Sequence, residues 1–188
     1  IKLNQKDLSL EDSHSLSIML HCIGDFERIS DHALSIMKSA KEMSMKNAVF
    51  SAQAVNELHI MEKAVNDIVE KAYTVFATQD IRLAEEIEPL EEVIDEMVAT
   101  LKDRHIARLK NGSCTIGAGL VFIEVLTHMG RAADQCSSIA VFLLGRHNEE
   151  ILSNHHAYLH ELHKGNDAYY ASEFEARRRE FLDPIETL

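Results

Sequence analysis

Apolar residues Leu16, Met19, Leu20, Ile23, Phe26, Ile29, Ile36 and Met37 recur at steps of three and four positions. That spacing keeps them on one side of a helix. Ser9 stands where an N-cap is needed, and Glu11 and Asp12 face the positive end of the helix dipole. The pattern predicts a first helix from Ser9 to about Met43. A second, from about Phe50 to Ala77, carries Val55, Ile60, Val65, Ile68, Val69 and Val75. Thr78-Gln79-Asp80 forms a tight joint, and a third helix runs from about Asp80 to Leu109, closing at Asn111-Gly112. Pro89 lies inside it and predicts a kink or break. A fourth helix runs from about Thr115 to Leu144-Gly145. The segment from about Glu150 to Phe181 is wetter, with histidines, tyrosines and the Arg177-Arg178-Arg179 run, and Pro184 follows it.

Nothing alternates with period two for long enough to make a sheet. Helices of about 28 to 35 residues are roughly 42 to 52 Å long. Joined by short loops, they must pack antiparallel. The predicted fold is all-α, an elongated antiparallel helical bundle. Composition agrees. Seven glycines and two prolines in 188 residues are under half the usual share of roughly 12%, and turn-rich β folds need more. Seven methionines, no tryptophan and 46% hydrophobic residues suit long helices around one core.

Charge narrows the partners. Nineteen Lys and Arg against 31 Asp and Glu give −12, which argues against a nucleic-acid grip. Three cysteines without C-x-x-C spacing read as thiols in a reducing compartment. The most apolar stretch, Ile116 to Leu126, is about half the ~20 residues of a membrane span, and Glu124 interrupts it. The chain starts at Ile1 with no targeting segment behind it, so it reads as a piece of a longer protein.

Helices one and four are alike at an offset of 103 residues. Arg28 matches Arg131, Asp31 matches Asp134, and Ser35-Ile36 matches Ser138-Ile139. The apolar pairs Ile18/Val121, Leu20/Ile123, Ile23/Leu126 and Phe26/Met129 follow. By residues alone, this is a shared core pattern with a local Arg–Asp pair at i, i+3. The stretch Asp25-Phe26-Glu27-Arg28-Ile29-Ser30-Asp31-His32-Ala33 resembles the E-R-I-x-D-H-A signature of PhoU-type domains. Asp103-Arg104-His105-Ile106-Ala107-Arg108-Leu109, followed by Gly112, Cys114 and Gly119, is similar to the second repeat of the PhoU-like C-terminal region of bacterial Na/Pi cotransporter family proteins.

The resemblance covers about residues 5 to 147. It implies two three-helix repeats, the first truncated: residues 1–147 hold the third helix of repeat one and then repeat two, and 148–188 form a helical tail. It also implies a transporter membrane domain in cis, a place at the cytoplasmic face of the membrane, and a regulatory rather than enzymatic role in phosphate transport. The missing helices would leave an apolar face on helix one, covered by a second copy in a homodimer.

The spacing E-x-x-x-D sets two carboxylates about one turn apart on one helix face. It occurs at Glu27/Asp31 and again at Glu91/Asp95. Such pairs repel unless a cation lies between them, and facing carboxylates in bundles suit hard cations such as Mg, Mn or Fe. The resemblance adds Asp134 and implies a metal cluster through which phosphate could bind. It also marks departures: Gly130 stands where Glu is expected, and Gln135-Cys136 where His-Ala is expected, which weakens the repeat-two site. The other reading pairs Asp31 and Asp134 with arginines and leaves the rest solvated.

His156, His160 and His163 follow i, i+4, i+7 with His155 beside them, a spacing suited to Zn or Ni or simply to the polar face of an amphipathic helix. His160-Glu161-Leu162-His163 is not H-E-x-x-H, so no metalloprotease is indicated. His59 and His105 stand alone and read as structural. A ferritin-like di-metal enzyme needs two Glu-x-x-His pairs, and the chain has one such spacing, Glu11 to His14, at a helix start. No catalytic grouping stands out. A ligand-free helical dimerisation scaffold is the remaining alternative.

Overall fold

The computed structural model describes residues 9–146, 148–164 and 167–188, and among them there is helix but no strand. The long helix α1 (Leu10–Met45) opens on Ser9, whose hydroxyl accepts from the Asp12 N–H at 3.1 Å. Ser51 caps α2 (Ala52–Thr78) in the same way. The predicted joint is present: Gln79 ends α2 in the left-handed region at φ 59°, and Asp80 caps the short α3 (Ile81–Glu85).

The third helix, expected between Asp80 and Leu109 with a kink or break near Pro89, is interrupted there. It breaks at Glu86, and α4 (Ile87–Lys110) begins just before Pro89. In the first turn a proline has no intrahelical bond to give up, so Pro89 starts a helix instead of kinking one. Asn111 closes α4, and Gly112 takes φ 75°. Thr115 caps α5 (Ile116–Gly145). Beyond it come α6 (Glu149–Ser153), α7 (His155–His163), α8 (Ala168–Arg177), a π-turn over Arg178–Leu182, and α9 (Asp183–Glu186).

The helix α5 is the centre of the bundle. Contacts of His105 with Phe122 and of Glu88 with Ser137 set α4 antiparallel to it. The helix α2 lies antiparallel to α4, through Glu57–Arg104 and Lys71–Glu86. On its other side α5 carries α1, also antiparallel, through His21–Phe142, Asp25–Ser138 and His32–His128. Ile68, Met97, Leu101, Phe122, Leu126 and Ile139 are fully buried between these rods. By length and composition α5 could cross a membrane, contrary to the shorter apolar stretch read from the sequence. Half of that apolar window is buried against the neighbouring helices.

The tail joins the same core. Phe181, Leu182 and Ile185 are buried in it. Arg177 of the arginine run reaches Glu86 at 3.6 Å and Asp67 at 4.0 Å, and Arg104 donates to the Ile185 carbonyl at 2.9 Å.

Two polar features shape the bundle. Glu57, wholly buried, takes Arg104 and Arg108 at 2.8 Å each, and the Arg108 guanidinium lies over the Phe122 ring. Beside them His105, also buried, stacks on Phe122 and packs against Gly119, where a Cβ would stand 2.5 Å from its Nε2. The lone His105 is therefore a core residue, as expected. On the outside, Ile23 of α1 is 56% exposed, whereas its repeat mate Leu126 is fully buried. Met19, Leu20, Leu34 and Met37 are exposed with Ile23, so α1 does present an apolar face.

Candidate metal centre

The i, i+4 spacing in α4 puts Glu91 and Asp95 side by side, and the antiparallel docking of α5 brings Asp134 to them. One carboxylate oxygen from each lies within 4.8 Å of the others. Close approach of the helices here depends on Gly130. A Cβ at that position would sit 3.3 Å from Val98 Cγ2 and 4.0 Å from Asp95 Oδ1. Asp95 and Asp134 are exposed, and Glu91 is buried.

Burial chiefly, then the charges of Glu88, Asp95 and Asp134 and a hydrogen bond with Asp134, push the Glu91 carboxyl up to about 9. Burial also raises Asp95, with Asp134 and Glu92 adding to it and Lys102 opposing. Repulsion of this kind is what a bound cation relieves. The donors are all carboxylate oxygens, a set that suits Mg, Mn or Fe over softer metals. Ligands in an octahedral shell are about 3 Å apart when adjacent. Oxygens spread over 4.8 Å would need only small side-chain movements to close on one ion, so the residues fit the group.

The surroundings include groups that sequence reasoning missed. Glu88, buried on the same face, accepts a short bond from the Ser137 hydroxyl, and His163 Nε2 lies 2.9 Å from its other oxygen and 3.6 Å from Glu92. The run Glu88, Glu91, Glu92, Asp95 on one helical face was the signal for them. A cavity of about 220 Å³ opens beside Asp134, lined by Ser137, Ser138, His155 and His156 among others.

The remaining predicted ligands go elsewhere. Glu27 and Asp31 lie exposed on α1, away from this group. Arg28 pairs with Asp25 at 3.1 Å rather than with Asp31, because i−3 on this helix is the buried carboxylate that also accepts from Ser138. The histidines of α7 do share that helix. His163 turns inward to Glu88, His155 and His156 lie ring against ring, and His160 is exposed. Among the described residues the three carboxylates are the one group of three or more potential ligands found close enough to hold an ion.

The fold is thus an all-α bundle whose adjacent core helices α4 and α5 bring three carboxylates together. Residues 58–143, which span α2 to α5, match the PhoU domain family. The chain is also similar to the phosphate-specific transport system accessory protein PhoU homolog 1 of Thermotoga maritima, at 25% identity over 132 residues. That alignment covers 68% of this chain and 56% of the relative, so the chain spans about half the relative's length. No solved structure matches. The expected all-α helical bundle is the fold found, and residues 58–143 are the part of it that matches the PhoU domain model.

Proposed function

We propose that this chain is a regulatory domain of phosphate transport that works through a metal held by Glu91, Asp95 and Asp134. The single observation behind the reading is the convergence of these three carboxylates inside the segment that matches the PhoU domain. The accessory role named for the Thermotoga relative supports the process. A cation in the cluster would keep positions open toward solvent, because two of its three ligands are exposed. Phosphate would bind there, and the imidazoles of His155 and His156 in the adjoining cavity would donate to it.

In the full-length protein the domain would sit at the cytoplasmic face of the membrane, attached to a sodium-dependent phosphate transporter. The resemblance of Asp103–Leu109, with Gly112, Cys114 and Gly119, to the PhoU-like region of Na/Pi cotransporter family proteins supports that placement. A homodimer through the outer face of α1 completes the proposal. The exposed apolar side chains of that helix also favour the second reading, a dimerisation scaffold with no ligand.

Calorimetry decides between them. Phosphate should bind the manganese-loaded chain and fail to bind both the chelated chain and the manganese-treated Asp95→Asn/Asp134→Asn variant. Equal phosphate binding to the chelated chain would overturn the metal route. No metal binding at all would leave the scaffold.

A further inference from the structure

We infer that His32 and His128 form a second metal site, distinct from the carboxylate cluster, in which one Zn²⁺-like ion ties α1 to α5. The two imidazoles come from helices 96 residues apart in the chain, and their Nδ1 atoms face each other at 3.1 Å. The ring centroids are 5.3 Å apart and the planes are tilted by 40°. Two nitrogens bound to one tetrahedral zinc at about 2.0–2.1 Å are about 3.3 Å apart. The observed separation therefore needs to open by only a few tenths of an ångström, with the lone pairs turned toward a shared point. Water would fill the remaining positions.

Three further features favour a cation here. Burial first, then the neighbouring His128 and Arg131, holds the His32 imidazole below its ordinary value. It is therefore neutral near pH 7, with a lone pair free to coordinate. Two carboxylates near His32, Asp134 and Asp31, favour a cation there, against the guanidinium of Arg131. Both rings are half-buried, with access from solvent. The internal repeat supplies a comparison. Shifting His32 and His128 by the 103-residue offset gives Gln135 and Asp25, and Arg28 bridges that pair at 3.3 Å and 3.1 Å. At one position of the α1–α5 seam the cross-link is a guanidinium between an amide and a carboxylate. At the repeat-related position two imidazoles face each other directly, a donor set for Zn, Ni or Cu rather than for the hard cations of a carboxylate site.

The probe is zinc chloride titrated into the chain after chelation and dialysis. The expected result is a binding step lost, or weakened at least about tenfold, in both His32→Asn and His128→Asn. It should survive in a variant with His155, His156, His160 and His163 replaced by Asn, and in Glu91→Gln/Asp95→Asn. Persistence of the step in both seam variants would overturn the site, as would its loss with the α7 histidines. A measurement on the unaltered chain guards against misfolded variants: Co²⁺ should shift the ring-proton resonances of His32 and His128 at the lowest additions. If those signals stay in place while other histidines move, the site is refuted.

Discussion

In metal-free protein, Glu91 should make the chain less stable as pH rises, and Glu91→Gln should remove the effect. The carboxyl is 8% exposed and is pushed from 4.5 in the unfolded chain to about 9 in the folded one. Between those values the folded state keeps a proton that the unfolded state has released. The stability this group contributes is thus fully present below about pH 4.5 and declines as pH climbs toward 9. The slope for one proton is about 1.4 kcal/mol per pH unit. From about pH 7 to about pH 8.5 the chain should lose on the order of 2 kcal/mol.

Two buried or half-buried histidines act in the other direction. His32 and His105 are held low, so their titration in folded and unfolded chains lies below about pH 6.5, and its effect has the opposite sign. The buried thiols Cys22 and Cys136, raised to about 11 and about 12, enter only at the top of the window and remain in the variant. Urea unfolding in chelator at several pH values, for parent and Glu91→Gln, measures the difference. Manganese should flatten the parent's slope, because an ion displaces the proton, with about one proton released per ion bound. Parallel loss of stability in parent and variant across the window would refute the assignment.

Three further outcomes follow from the packing. Glu57→Ala leaves Arg104 and Arg108 without their shared carboxylate in the core and should lower unfolding free energy by about 3–5 kcal/mol in urea titration. Gly119→Ala drives a methyl into the buried His105 ring on Phe122 and should cost about 1–3 kcal/mol by the same assay. Leu20→Glu/Ile23→Glu acts on side chains that touch solvent, so it should leave the melting temperature within a few degrees while converting a dimer to a monomer in light scattering. A parent that is already monomeric would remove the dimer from the proposal.

Most of the bundle was legible because local chemistry agrees with the tertiary fold. Ser9, Gln79-Asp80 and Asn111-Gly112 end or begin helices through bonds made within a few residues of themselves, and such signals survive reading one residue at a time. Pro89 signalled the break near it, but not that the proline would sit in the first turn of α4, because that position was fixed by where α3 stopped. Of the site, the pair Glu91/Asp95 could be read from spacing. Its meeting with Asp134 was suggested by resemblance to a family. The role of Glu88 depends on partners 49 and 75 residues away, Ser137 and His163, and no local pattern encodes those contacts. The pairing of Arg28 was misassigned for a similar reason. Asp25 and Asp31 are both three residues away, and only the burial of Asp25 against α5 selects between them.

The two repeat-related helices have divided their work at one position. Glu27 on α1 and Gly130 on α5 are equivalent by the 103-residue offset. On α1 the glutamate stands exposed, on the side where Met19, Leu20 and Ile23 are also exposed. On α5 the position faces α4, and even a methyl would press on Val98 and reach toward Asp95. A glutamate there would wedge the helices apart and bring a further negative charge to a group in which Glu91 already holds a proton near pH 7. Glycine resolves both conflicts. It lets α4 and α5 approach until oxygens of the three carboxylates lie within 4.8 Å of one another. In the proposed site, the substitution that removes a ligand would be the one that makes room beside an ion for a molecule from solvent.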